Sequence, residues 1–204
     1  MFIYLHGFNS SPQSNKAMIL RKWLEEREMG SSFACPCLPH CPNDAIAAAE
    51  AEMGKYTSNA ICLIGSSLGG FYATHLAEKH GTKAVLVNPA IYPHIGLRAW
   101  LGEQQNLHSG EKYLLTEAHL AQWERLIATR ITPERYLLLV ETGDEVLDYR
   151  EALDRYRGCR QVVVEGGDHT LKSFPEHIPL ILAFAGLSDR PPGIVTGIRR
   201  QTFS

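Results

Sequence analysis

A hydroxyl, an imidazole and a carboxylate carried on three separate loops can together perform acyl transfer, and this chain offers a candidate for each. The hydroxyl belongs to Ser67, the centre of Gly65-Ser66-Ser67-Leu68-Gly69, which fits G-x-S-x-G. In that pattern the serine sits on a strained strand-to-helix turn that lifts its hydroxyl clear of the sheet. The pentapeptide alone would arise by chance in about one chain in fifteen of this length. Its flanks add weight: the apolar run Ala60-Ile61-Cys62-Leu63-Ile64 leads in, and Phe71-Tyr72-Ala73 continues in helical pattern.

A serine hydroxyl is a weak nucleophile near neutral pH and needs a base to take its proton. Of the nine histidines, His169 is the best placed, in Glu165-Gly166-Gly167-Asp168-His169-Thr170 just after a β-rich run. The glycines let that loop carry the imidazole toward Ser67. The base needs an orienting acid. Asp144 lies just past the apolar run Tyr136-Leu137-Leu138-Leu139-Val140, with Asp148 as the alternative. Asp148 also suits the N-cap of the helix that follows. The chain order Ser67, Asp144, His169 is the nucleophile, acid, base order that accompanies this kind of turn. A developing oxyanion needs backbone N–H donors. Leu68, at a helix start, is the first candidate, and Phe8, in Leu5-His6-Gly7-Phe8-Asn9-Ser10, is the second. His6 is expected to shape that loop.

These side chains converge only if the strands before them lie side by side. Short β-rich runs at 2–5, 32–35, 60–64, 84–87, 136–140 and 161–164 alternate with amphipathic segments. That alternation predicts a six-stranded, mostly parallel sheet with helices on both faces. The helices are expected from Ser11-Pro12 to Met29-Gly30, from Asn43 or Asp44 to Gly54, from Ser67 to His80-Gly81, and over 148–156 and 171–185. Residues 91–131 are too long for a simple crossover and read as a small helical cap insertion. Its apolar residues Leu97, Trp100, Leu101, Tyr113 and Trp123 either wall a pocket or anchor the insertion to the sheet. The tail from Ser188, with Pro191-Pro192 and Arg199-Arg200, has little core potential.

The chain of 204 residues is 45% hydrophobic and 21% charged, as a single soluble domain over 1–204 would be. A net charge of −2 gives no reason to expect nucleic acid or an anionic membrane as partner. No apolar run approaches the roughly eighteen residues that span a bilayer. A first strand starting at Phe2 leaves no room for a signal peptide, so a cytoplasmic location is expected. Five cysteines cannot all pair internally. Cys35, Cys37, His40 and Cys41 put four soft ligands close together, but structural zinc sites draw on separated pairs. Pro36, Pro39 and Pro42 stiffen the run, so reduced thiols in a strand end and loop are expected rather than a metal site.

With these residues in place, the chain resembles the YqiA-like esterases of the UPF0227 group, compact α/β-hydrolases. The resemblance rests on Tyr4-Leu5-His6-Gly7-Phe8-Asn9-Ser10-Ser11-Pro12, Gly65 to Ala73, Asn88-Pro89-Ala90, Gly143-Asp144-Glu145-Val146-Leu147-Asp148-Tyr149 and Gly166-Gly167-Asp168-His169. It implies a serine esterase that acts on small-molecule acyl esters, acyl thioesters within the same chemistry, through an acyl-enzyme and without metal or organic cofactor. It also assigns nucleophile, acid and base to Ser67, Asp144 and His169. Other readings keep the same residues: an acyltransferase or carbon–carbon bond hydrolase differs only in acceptor or bond, and a non-enzymatic binding protein could share the scaffold.

Overall fold

The structure, a computed structural model, describes residues 1–106 and 108–187; the expected weakly packing tail from Ser188 lies outside the described residues. The first half runs β1 (Phe2–Leu5), α1 (Asn15–Glu25), β2 (Phe33–Ala34), α2 (Pro42–Met53), β3 (Cys62–Ser66), α3 (Leu68–His80) and β4 (Lys83–Val87). The insertion follows, with α4 (Pro93–Gly96), β5 (Gly102–Gln105), β6 (Lys112–Leu115) and α5 (Glu117–Arg125). The last part is β7 (Tyr136–Glu141), α6 (Tyr149–Arg155), β8 (Arg160–Val164) and α7 (Phe174–Ala185). Six strands form one sheet in the order β2-β1-β3-β4-β7-β8, and every pairing in it is parallel. This is an α/β-hydrolase fold, as the sequence leads one to expect.

Period-two alternation divides the core between the two faces of the sheet. Ile3, Leu5, Leu63, Leu86 and Leu138 are buried on the side of α2, α3 and α5. Phe2, Tyr4, Ile64, Val85 and Leu139 are buried against α1 and α7. Because both faces are covered, the central strands are apolar at nearly every position. Each fully buried Leu or Ile contributes about 1.5–3 kcal/mol to this layered core. Strand order reverses between β1 and β3, which pair from Phe2 with Cys62 to Leu5 with Gly65. Beyond the carboxyl ends of such neighbours the loops part and leave a crevice.

Local chemistry moves several boundaries. The first helix starts at Asn15 rather than at Ser11-Pro12. Instead, the Ser11 carbonyl accepts from Ser14 N at 3.0 Å and its Oγ accepts from Gln13 N at 3.1 Å, which makes a turn. That helix also stops at Glu25, short of the expected Gly30. In α2 the cap position is Cys41 with Pro42 in the first turn, so Asn43 and Asp44 are already helical. The last helix starts at Phe174, because Leu171 has a left-handed φ of 50°. The helix after Ser67 ends as expected, on Gly81 in the left-handed conformation.

The insertion is helical at both ends, but between them it forms the antiparallel hairpin β5–β6. Turn chemistry explains the difference. Asn106 Oδ1 accepts from His108 N at 2.9 Å and Ser109 N at 3.1 Å, and Gly110 supplies a φ of 75°. Around that turn Tyr113 and Leu115 point inward while Lys112 and Leu114 point outward, a two-residue period that the helical reading overlooked. Among the described residues no helix is long and apolar enough to cross a membrane.

Candidate active site

Ser67 occupies the tight turn between β3 and α3, with φ 55° and ψ −122°. A non-glycine residue there is strained by about 1–3 kcal/mol, and surrounding bonds must hold it. Ser67 N donates to the Val87 carbonyl at 3.0 Å, and the Ser67 carbonyl accepts from Gly70 N at 2.9 Å and Ala90 N at 3.0 Å. Packing closes the rest of the turn. A Cβ on Gly65 would strike the Gly69 carbonyl, and one on Gly69 would strike the Leu5 carbonyl. The pattern's two glycines are therefore required by close backbone approach.

His169 Nε2 lies 3.1 Å from Ser67 Oγ, while His169 Nδ1 lies 2.8 Å from Asp144 Oδ2 and 3.0 Å from Oδ1. A carboxylate only accepts, so Nδ1 carries the imidazole proton and Nε2 is left to accept from the serine hydroxyl. Asp144 Oδ1 also accepts from Val146 N at 2.8 Å and Leu147 N at 2.9 Å. Burial opposes the charge on Asp144, but the bonds from His169 and these two amides outweigh it and hold the carboxyl below its usual range. Asp148, the alternative acid, instead caps α6, its side chain accepting from Arg150 N.

Of the two candidate oxyanion donors, one opens a helix and the other lies in the loop after β1. Leu68 opens α3, where a helix's first amides lack intrahelical acceptors. Phe8 follows Gly7, whose hypothetical Cβ would sit 3.3 Å from Ser67 Cβ and 3.7 Å from its Oγ. His6 shapes this loop from beneath: Leu38 N donates to His6 Nε2 at 3.1 Å, and Nδ1 faces the Gly7 carbonyl at 3.1 Å. Burial lowers the His6 pKa and keeps the ring neutral. A cavity of about 790 Å³ opens over Ser67 and His169, bordered by Phe8, Leu68, Leu97 and Trp100.

Two buried polar residues outside the sequence-based candidates hold the loop that carries His169. Glu141, 1% exposed, accepts from Asp168 N at 2.8 Å, from Ser173 N at 3.0 Å and from Ser173 Oγ at 2.6 Å. Asn88 Nδ2 donates to the carbonyls of Asp168 at 3.1 Å and His169 at 3.2 Å, and its Oδ1 accepts from Glu141 N at 3.1 Å. Glu141 ends β7 and Asn88 directly follows β4, and a polar residue at an apolar strand's carboxyl end is the signal that could have singled them out.

The insertion reaches the other loop. Tyr113 Oη donates to Asn9 Oδ1 at 2.7 Å, Asn106 Nδ2 donates to the Ser10 carbonyl at 3.0 Å, and Trp100 packs edge-on against Phe8. Its apolar residues divide between the two expected roles. Leu97 and Trp100 border the cavity, whereas fully buried Trp123 anchors α5 by donating to Tyr72 Oη at 2.9 Å.

The cysteine run scatters. Cys35 packs on the α1 side, where burial pushes its thiol up to about 12. Cys41 Sγ donates to Gln122 Oε1 at 3.3 Å, and His40 stacks on Tyr113. Among the described residues no three His, Cys, Asp or Glu side chains are grouped to hold a metal ion.

Comparison with known proteins agrees with the fold. Mouse alpha/beta hydrolase domain-containing protein 10 superposes with a TM-score of 0.66 at 16% identity, over 91% of this chain and 88% of that one. Est1E from Butyrivibrio proteoclasticus, solved with ferulic acid bound, gives a TM-score of 0.61 at 18% identity, over 91% and 86%. A UPF0227 protein of Shewanella sp. strain ANA-3 is 23% identical over 191 residues, which span 90% of this chain and 98% of that protein. The sequence pattern of the group described as Uncharacterised protein family (UPF0227) matches residues 1–186. By that match over most of its length, the chain belongs to the UPF0227 family.

Proposed function

We propose that the protein is a serine esterase that hydrolyses small carboxylic esters through an acyl-enzyme. The reading is carried by the unbroken path Ser67 Oγ, His169 Nε2, His169 Nδ1, Asp144, at 3.1 and 2.8 Å, beneath an open cavity. His169 takes the hydroxyl proton as Ser67 Oγ bonds to the ester carbonyl carbon. The amides of Leu68 and Phe8 hold the oxyanion, and His169 passes its proton to the departing alcohol. Water then attacks the acyl-enzyme, giving its proton to His169, and the acid leaves as the Ser67 hydroxyl re-forms. Asp144, held ionised, fixes the Nδ1–H tautomer and balances the imidazolium that forms at each step. Further support comes from fold relatives described as esterases, among them an esterase domain from a Rhodothermus marinus protein with a TM-score of 0.58.

Two measurements test the reading. A fluorophosphonate probe should modify Ser67, as peptide mapping would reveal. Ser67→Ala should lower hydrolysis of p-nitrophenyl butyrate by about 10⁴-fold or more while leaving the fold intact. An adduct on another residue, or an undiminished rate in the variant, refutes the assignment.

A further inference from the structure

Residues 87–90 lead out of β4 and hold Ser67 at both of its backbone groups. Ser67 N donates to the Val87 carbonyl at 3.0 Å, and Ala90 N donates to the Ser67 carbonyl at 3.0 Å. Between these two contacts Pro89 presses on α3, where a Cβ added to Gly70 would sit 2.6 Å from the Pro89 Cβ. Asn88 N donates to the Leu139 carbonyl at 3.0 Å, which ties the segment to β7 as well. This backbone can therefore shift little without carrying Ser67 with it.

The same segment reaches the residue that carries the imidazole. Asn88 is buried, and its Nδ2 donates to the carbonyls of Asp168 at 3.1 Å and His169 at 3.2 Å. Its Oδ1 accepts from Glu141 N at 3.1 Å, which fixes the orientation of the amide, since only the NH2 group can face two carbonyls. The Asn88 φ of 40° lies in the left-handed region, which asparagine enters more readily than most residues. Two other side chains hold the same loop. Glu145 Oε2 accepts from His169 N at 3.0 Å, and Lys16 Nζ donates to the Thr170 carbonyl at 2.8 Å. Asn88 differs from both in belonging to the segment that grips Ser67. One short span of chain thus fixes the Ser67 and His169 peptides relative to each other, and proton transfer between their side chains depends on that separation.

Resting on the esterase reading, we infer that Asn88 is a positioning residue: through the His169 carbonyl it sets the 3.1 Å separation of His169 Nε2 from Ser67 Oγ. Asn88 does not border the cavity over Ser67. Its loss should therefore slow acylation and deacylation, which both run through His169, and leave ester binding unchanged.

Two variants test this. Asn88→Asp keeps an oxygen for Glu141 N but turns another toward the two carbonyls, whereas Asn88→Gly accepts the left-handed φ and removes the side chain altogether. With p-nitrophenyl butyrate, each should lower kcat by about 10²-fold, the cost of a shift of about 1 Å at a reacting group, while KM changes by less than about twofold. The rate constant for fluorophosphonate labelling of Ser67 should fall with kcat. A side chain that only stabilised the fold would lower the folded fraction, and so the amplitude of labelling, but neither the labelling rate constant nor kcat per labelled site. Wild-type values of both in either folded variant, or a raised KM with kcat unchanged, overturn the inference and leave the esterase reading standing. Asn88→Gly, whose backbone suits the turn, decides the matter if Asn88→Asp does not fold. A wild type that neither labels at Ser67 nor cleaves the ester overturns the esterase reading and takes the inference with it.

Discussion

Replacing Glu141 with glutamine keeps the shape of the side chain and removes its charge, which isolates what that carboxylate does for the loop that carries His169. Both oxygens are occupied: Oε1 accepts from Ser173 N and Oγ, and Oε2 accepts from Asp168 N. Glutamine has one oxygen, so in either orientation a backbone N–H meets an NH2 group instead of an acceptor. A buried donor without a partner costs about 1–3 kcal/mol, and the remaining bonds weaken by about 1 kcal/mol in losing charge assistance. The expected loss is about 2–4 kcal/mol, which moves a urea midpoint down by about 1–2 M at a typical slope. Its pH dependence follows from the carboxyl's environment. Burial works against ionisation, but bonds from Ser173, Asp168 and Lys172 prevail and hold Glu141 below its usual value of 4.5. A carboxyl with a lowered folded pKa stabilises fully above its unfolded value and loses that contribution as pH falls through the folded one. The gap between wild type and Glu141→Gln should therefore be widest at neutral pH and narrow below about pH 4.5. Because Asp168 adjoins His169, kcat should fall more than KM rises. A variant whose midpoint matches wild type at neutral pH, or whose deficit is unchanged in acid, would refute the reasoning.

Gly7→Ala brings a methyl group 3.3 Å from Ser67 Cβ and 3.7 Å from its Oγ; urea stability should drop by about 1–3 kcal/mol, while kcat/KM for p-nitrophenyl butyrate should drop about 10²-fold. Activity equal to wild type would mean that the reacting carbonyl does not approach across Gly7. Trp123→Phe deletes the donor to Tyr72 Oη and opens a void under α5; a calorimetric or urea loss of about 2–4 kcal/mol is expected, and no loss would show that the insertion is anchored elsewhere.

Much of this architecture could be read from residue order alone, for identifiable reasons. Central strands buried on both faces must be apolar throughout, so β1, β3, β4 and β7 stand out as short runs between amphipathic stretches. The turn at Ser67 announces itself because no side chain fits at Gly65 or Gly69. Asp144 and His169 follow strands, where α/β sheets keep their reactive loops. What escaped was either local competition or distant pairing. Ser11 and Leu171 lie in turns whose backbone preferences defeat helix starts that side-chain type suggested. The β5–β6 hairpin hides because its strands are four residues long and weakly apolar, and its turn depends on Asn106 and Gly110. Glu141 and Asn88 bond to a loop reached only after the sheet is assembled, and no spacing rule joins positions so far apart.

The hydrogen bonds from Asn106 and Tyr113 to Ser10 and Asn9 tie together two properties that enzyme engineers prefer to vary separately. On the esterase reading, exchanging the hairpin would also release Asn9 and Ser10, next to Phe8, so a library confined to the hairpin is expected to lose turnover as it gains scope. Randomising positions 9 and 10 together with 106 and 113 would treat the insertion and the first loop as one unit, because each hydrogen bond between them has a partner on either side.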